Sequence, residues 1–427
     1  MERQKYLVTG GAGFIGSHLV DALLARGEPV VVLDDLSTGR LENLAEARTR
    51  EHFRFVHGSV LNASLVDDLT HECGTVVHLA AAVGVKLIVE QPLNSFTVNT
   101  KGTETVIESA HRHDRRVVLA STSEIYGKNS RGPLTETSDR ILGSPTVPRW
   151  SYSTAKAVDE ILAELYRRQY GLRSTVVRFF NTVGPRQSPA YGMVIPRFAR
   201  QAVRGEPLTV YGTGLQSRCF LHVADVVEAL LSLIDLPGSV GETFNIGSDE
   251  EISILDLAER IIARADSPST VRRLSYGEAY GPGFEDMERR VPDTTKLRTF
   301  TGWHPRHNLD DVLRDAVADA AAALSETEAL PTLPGRTAAT PLVGGGVLLG
   351  EGEVAVVPAG AVRPPPSPTS TGLAAGPGSE SPTAVAGEGA EAPLSEAALV
   401  ESARSDAGVS AQDGTGGRTV LAGPCSV

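Results

Sequence analysis

Short apolar runs and amphipathic stretches take turns along the first 330 residues. Tyr6–Val8, Val30–Leu33, Phe53–Val56, Thr75–His78, Arg116–Ala120 and Thr175–Arg178 are brief runs rich in apolar and β-branched side chains. Such runs predict strands buried on both faces. Helical patterns lie between them, at Ser17–Arg26, Thr100–His113 and Ser153–Tyr170. Strand–helix alternation of this kind predicts an α/β fold, with a doubly wound parallel sheet between two helical layers. From about Gly184 the rhythm breaks, and loops rich in Gly and Pro separate helical stretches at Val194–Arg204, Val223–Asp235 and Ile254–Ala265. The expected organisation is a sheet domain over residues 1–183, with 222–245 contributing, and a smaller interleaved lobe over 184–330. No internal repeat is present.

Composition changes near Pro331. From there to Val427 the chain has no Phe, Tyr, Trp or Lys, and Pro, Gly, Ala, Ser and Glu dominate. Too little apolar surface remains to offset the entropy of ordering, so residues 331–427 are expected to be a disordered, low-complexity tail. Val347-Leu348-Leu349 and Val354–Val357 are its two short strand-prone spots. Over all 427 residues, 52 acidic groups outnumber 40 basic ones. That excess of negative charge argues against a nucleic-acid binder. Cys73, Cys219 and Cys425 are too scattered for a disulfide framework or a metal site. No run approaches the roughly 20 apolar residues of a membrane span, and the N-terminal apolar run is too short for a signal-peptide core. A cytoplasmic protein that needs no metal is expected.

Directly after the first strand stands Gly10-Gly11-Ala12-Gly13-Phe14-Ile15-Gly16, and a helical pattern follows. Glycines there allow a tight turn and close approach of backbone to a pyrophosphate seated at a helix N-terminus. The second strand ends in Asp34-Asp35, near the spacing at which a carboxylate meets the adenosine ribose hydroxyls. A carboxylate there repels a 2′-phosphate, so the expected cofactor is NAD rather than NADP, held on a Rossmann-type fold.

Tyr152 and Lys156 lie four residues apart in a helical stretch and share one face. A phenol titrating near 10 is a poor base at neutral pH. A neighbouring ammonium and the positive nicotinamide would stabilise the phenolate. Lowering the phenol to about 7 needs about 4 kcal/mol, at about 1.36 kcal/mol per unit.

With these motifs in view, the chain resembles the extended short-chain dehydrogenase/reductase family, in its nucleotide-sugar epimerase, dehydratase and decarboxylase group. The resemblance runs over residues 5–325. It is carried by Thr9–Gly16, His78-Leu79-Ala80-Ala81, Ser121–Gly127, Tyr152 with Lys156, Arg178–Pro185, Tyr211-Gly212, and Arg218 through His222-Val223-Ala224-Asp225. It implies a seven-stranded domain holding NAD, a C-terminal lobe gripping a nucleoside diphosphate sugar, and a homodimer joined through helices Thr100–His113 and Ser153–Tyr170. The implied cofactor contacts are Gly10, Gly13, Phe14, Ile15, Gly16 and Asp34, then Ser59, Val60, Leu79, Ala80, Ala81 and Asn99, together with Tyr152 and Lys156. Ser59 stands where the family usually has an Asp against adenine, so its contact should be weaker. Thr122 matches the hydroxyl that meets the sugar 4-OH beside Tyr152. Val83, Asn181, Arg197, Tyr211, Arg218 and Arg290 match substrate contacts, with Arg218 and Arg290 suited to a diphosphate by their planar guanidinium forks. Pro196–Phe198 and Leu208–Tyr211 are expected to wall the base. His78 ends a strand and is expected to be structural.

Tyr152 would take the 4-OH proton while hydride leaves C4, giving a 4-keto sugar. Related dehydratases carry Thr-Asp-Glu where this chain has Thr122-Ser123-Glu124, and serine is too weak an acid to expel the 6-OH. Dehydration is therefore disfavoured. Two outcomes remain. The first expectation is 4-epimerisation of a UDP-hexose or UDP-hexuronate; the second is decarboxylation of UDP-glucuronate through the same ketone. Thr122–Glu124, Arg149–Tyr152 and Arg290 resemble the corresponding stretches of uronic-acid decarboxylases. A non-catalytic NAD-binding sensor would typically lose the Tyr–Lys pair, which this chain keeps.

Overall fold

The computed structural model describes residues 4–281 and 285–329, so the tail expected from residue 331 lies outside the described residues. Six strands follow in chain order: β1 (Tyr6–Thr9), β2 (Val30–Asp34), β3 (Phe53–His57), β4 (Thr75–His78), β5 (Arg116–Thr122) and β6 (Ser174–Phe179). The strand Thr243–Ile246 joins them in a seven-stranded sheet, ordered Thr243–Ile246, β6, β5, β4, β1, β2, β3. Every pairing is parallel. The order reverses at β1, so the crevice beyond the carboxyl ends of β1 and β4 is the switch point where ligands of such sheets bind.

Strict alternation inside uniformly apolar strands explains the two helical layers. Tyr6, Val8, Val30 and Val32 face one side, where they pack with Leu19, Val20 and Leu23 of the helix Phe14–Ala25 and Leu230 and Leu233 of the helix Val223–Asp235. Leu7, Val31 and Leu33 face the other, against Val66 and Leu69 of the helix Ala63–His71 and Val106 of the helix Pro92–Arg112. On that same face Ile107 and Ala110 meet Val117 and Leu119 of β5 and Ala163 of the helix Ser151–Tyr170. Each fully buried Val or Leu contributes about 1.5–3 kcal/mol. The helix Pro92–Arg112 starts well before the expected Thr100. Pro92 fits a first turn, where its missing N–H costs nothing, but Asn94, Thr97 and Asn99 dilute the apolar period there.

The smaller lobe has its own core. Ile195 and Phe198 of the helix Val194–Val203 pack with Leu257 and Ile261 of Ile254–Arg264 and with Val312 and Leu313 of Leu309–Ala329. Short strands brace it: Leu208–Tyr211 pairs with Val271–Leu274, and Ser217–Cys219 lies between Glu251–Ser253 and Arg289–Arg290. Among the described residues no helix is long and apolar enough to cross a membrane.

Candidate active site

A cavity of about 720 Å³ runs from the glycine turn to the lobe. Its first half is made largely of backbone. Gly10 sits at φ +73°, and a Cβ there would lie 2.6 Å from the Ala80 nitrogen. At Gly16 a Cβ would lie 2.2 Å from the Gly10 carbonyl oxygen. Only glycine lets the turn fold this tightly under the start of the helix Phe14–Ala25. Asp34 closes the end of β2, and its two carboxylate oxygens accept from the Ala12 amide at 2.9 Å and the Leu36 amide at 2.8 Å. Burial, the larger influence, lifts its carboxyl above the usual range despite these bonds. Gly13, Phe14, Ile15, Ser59, Val60, Leu79, Ala80 and Ala81 line the same half. A glycine cradle with a carboxylate at the far end fits a dinucleotide with free ribose hydroxyls.

Asn99 differs from expectation. It is 1 % exposed and off the cavity wall, and its amide brackets Ala82, accepting from the Ala82 nitrogen at 2.9 Å and donating to its oxygen at 3.1 Å. It supports the turn rather than lining the cleft. His78 is structural in the same sense. Its Nδ1 meets the Thr9 hydroxyl at 2.7 Å and its Nε2 the Thr103 hydroxyl at 3.1 Å. Burial, then the Lys156 charge, pushes it down to about 3, so it stays neutral.

Tyr152 and Lys156 reach the middle of the cavity from the helix Ser151–Tyr170. Glu160 pins this helix to the sheet by a two-pronged ion pair with Arg178 of β6, at 2.6 and 2.9 Å. Thr122, at the end of β5, hydrogen-bonds the Tyr152 hydroxyl. Its oxygen also accepts from the Glu124 amide at 3.2 Å, capping the turn Ser123–Tyr126. The phenol is not lowered by its surroundings. Burial, then the Glu124 and Asp159 carboxylates, raise it above its ordinary value, while Thr122 and Arg149 pull the other way. The sequence shows the Lys156 ammonium but hides its partner: Asp159 lies 3.0 Å from it, both groups almost fully buried.

Charged side chains build the far half. Arg149, 3 % exposed, grips Glu124 with both prongs, at 2.5 and 3.1 Å. Burial alone would lift the Glu124 carboxyl, but Arg149 and then Arg290 outweigh it and hold it below the usual range. Arg290 lies 3.6 Å from Glu124 and donates to Asn181 Oδ1 at 2.5 Å. Its Nε has no hydrogen-bond partner among the described residues. Burial, then Arg218, pushes Arg290 down to about 10. Asn181 also donates to the Cys219 carbonyl at 2.8 Å, so its amide orients Arg290. Arg218 meets Asp286 at 3.2 Å, and Arg149 lies 3.7 Å from the same carboxylate. Further out, Arg197 stacks 4.2 Å over Tyr211, which meets Tyr280 edge-on at 5.3 Å. Val83 and Ser123 also line this half. Asp159 and Asp286 escaped the sequence reading, which met Arg149 within the stretch Arg149–Tyr152 but gave it no partner. Asp159 had a detectable signal, since it falls on the helical face of Tyr152 and Lys156. Among the described residues no group of His, Cys, Asp or Glu is placed to hold a metal ion.

Known proteins resemble this chain in sequence and in fold. Residues 6–247 match the NAD dependent epimerase/dehydratase family. The chain is 38% identical over 316 residues to UDP-N-acetyl-alpha-D-glucosaminuronate decarboxylase of Bacillus cytotoxicus, covering 74% of this chain and 97% of that protein. It is 35% identical to UDP-glucuronic acid decarboxylase 1 of Danio rerio, over 74% of this chain and 72% of the relative. The crystal structure of Thermus thermophilus UDP-glucose 4-epimerase in complex with NAD superposes with a TM-score of 0.66 at 31% identity, covering 75% of this chain and 99% of that one. The chain therefore belongs to the NAD-dependent epimerase/dehydratase family, whose nucleotide-sugar enzymes work through a 4-keto sugar.

Proposed function

We propose that the protein is a UDP-hexuronate decarboxylase that works through a 4-keto sugar. The observation that carries this reading is the buried guanidinium excess at the sugar end. Among the described residues the three guanidiniums of Arg149, Arg218 and Arg290 face two carboxylates, Glu124 and Asp286, and Arg290 keeps a donor without a partner. A buried charge is costly unless it is paired. A UDP-hexose balances it through the diphosphate alone, which Arg218 suits, whereas a UDP-hexuronate also brings a carboxylate for the Arg290 donor. Similarity to the two decarboxylases supports the same choice.

Gly10, Gly13 and Gly16 would cradle the NAD pyrophosphate, and Asp34 the adenosine ribose. NAD held there would supply a reversible acceptor for the C4 hydride. Tyr152, as phenolate, takes the 4-OH proton, with Thr122 bonding its oxygen and Lys156 close by. The resulting ketone is β to the C6 carboxylate, so loss of CO₂ leaves an enolate over C4 and C5, which takes one proton at C5 from solvent before the hydride returns to C4 and the Tyr152 proton to the C4 oxygen. Glu124 is held ionised between Arg149 and Arg290, so it keeps those guanidiniums aligned rather than serving as an acid. Arg197, Tyr211 and Tyr280 would hold the base, and Arg218 the diphosphate once Asp286 is displaced. The exposed Val158, Ile161 and Leu165, spaced along one stripe of the helix Ser151–Tyr170, would seat a second copy of the chain.

Epimerisation at C4 is the second reading, supported by the likeness to the UDP-glucose 4-epimerase over nearly its whole length. It needs the same ketone but retention of C6. Incubation with UDP-glucuronate, UDP-N-acetylglucosaminuronate, UDP-glucose and dTDP-glucose, followed by mass spectrometry and proton NMR, separates the two. Loss of CO₂ from a uronate is expected. Unchanged mass with an inverted C4 signal transfers the assignment to epimerase, and inertness toward both uronates overturns the substrate class.

A further inference from the structure

The helix Ser151–Tyr170 carries a third ionisable group on the face of Tyr152 and Lys156. Asp159 stands one turn beyond Lys156, is 1 % exposed, and accepts from the 2 %-exposed ammonium at 3.0 Å. Water screens neither partner, so their mutual field reaches further than it would at the surface. Among the described residues Asp159 is the one carboxylate in ion-pair range of Lys156.

The neighbouring elements leave that role to Asp159. From β4, His78 comes near Lys156 but stays neutral, satisfied by Thr9 and Thr103. From the helix Pro92–Arg112, Thr103 contacts Asp159 and donates to the Asn99 carbonyl at 2.7 Å. On the same helix as Lys156, Glu160 is taken up by Arg178 and by the Ser121 hydroxyl at 2.5 Å. On the opposite side of Tyr152, Glu124 is locked by Arg149.

We propose that Asp159 is a positioning residue: its carboxylate anchors the Lys156 ammonium and screens that charge from the Tyr152 phenol. The inference rests on the C4 oxidation described above and holds whichever group later leaves the sugar. With the ammonium screened, the phenol keeps its proton in the resting protein, in line with the direction in which Asp159 moves it. Full ionisation then awaits the second positive charge, brought by NAD at the neighbouring wall. The base would thus be armed only when an acceptor for the hydride is present.

Removing the screen should arm the phenol early. Two readouts apply to the purified protein: the pH dependence of kcat/KM, and an ultraviolet difference titration of the phenolate, each variant measured against the same variant carrying Tyr152→Phe. Asp159→Asn is expected to move the acid limb and the phenolate midpoint down by roughly one pH unit. Asp159→Glu, which keeps the charge, is expected to leave both near their original positions. A limb and a midpoint unmoved by Asp159→Asn would overturn the proposal, and so would an upward shift. Should that variant fail to fold, Asp159→Ser, small enough to admit water beside the ammonium, carries the same test. Wild-type protein inert toward every sugar nucleotide would sink the functional assignment instead, while the phenolate titration would still decide the coupling.

Discussion

The two halves of the cavity are built on different principles. The dinucleotide half relies on backbone: glycines at positions 10, 13 and 16 and amides that hold Asp34. The sugar half relies on side chains, with Glu124, Arg149, Asn181, Arg218, Asp286 and Arg290 converging from well-separated segments. Backbone geometry suits a task shared by every reaction of the family, whereas side chains can be exchanged one at a time to change the sugar. The comparison teaches where generality ends and specificity begins, with Tyr152 on the border.

The border residue should give the largest effect. Tyr152→Phe is expected to lower kcat by about 10³-fold on every substrate, the scale of a lost acid–base group; stopped-flow and product NMR check this, with NAD binding retained. Arg290→Met should split the substrates. kcat/KM for a uronate is expected to fall about 100-fold, from a lost charged hydrogen bond of about 1.5–3 kcal/mol, while any activity on a neutral hexose changes little. Equal losses on both would show that Arg290 serves the diphosphate alone. Gly16→Ala acts on the other half. Its Cβ has no room against the Gly10 carbonyl, so about 1–3 kcal/mol of stability should go, with weaker NAD binding and no change in substrate preference. Thermal unfolding and calorimetry measure it. Arg168→Ala is the smallest: its ion pair with Glu164 leaves the arginine 72% exposed, and such pairs are worth about 0–1 kcal/mol.

Legibility follows the same division. Gly10–Gly16 and Asp34 could be read directly because they act through chain-local geometry, and Tyr152 with Lys156 because helical spacing puts them on one face. The sheet was legible from its runs of Val and Leu. Thr243–Ile246 was harder to single out, since a four-residue strand containing Asn245 carries a weak pattern. The pairings of Arg149 and Asp286 were illegible because they are tertiary: nothing near them in sequence says that Glu124 and Arg218 will stand opposite. The expected lowering of the Tyr152 phenol counts the nicotinamide charge together with Lys156. By the protein's own groups the phenol lies above its ordinary value, through burial first, then Glu124 and Asp159, and such tertiary influences leave no mark in the local sequence.

The position of Thr243–Ile246 at the sheet's edge, beyond β6, also governs how the chain must be made. Synthesis reaches β6 long before the strand that covers it, and the intervening segment belongs largely to the other lobe. A fragment cut at residue 183 would present the hydrogen-bonding edge of β6 bare, an invitation to pair with neighbouring copies. Nascent protein is thus expected to be most prone to clumping while that segment is still emerging, and the two lobes to mature as one cooperative unit.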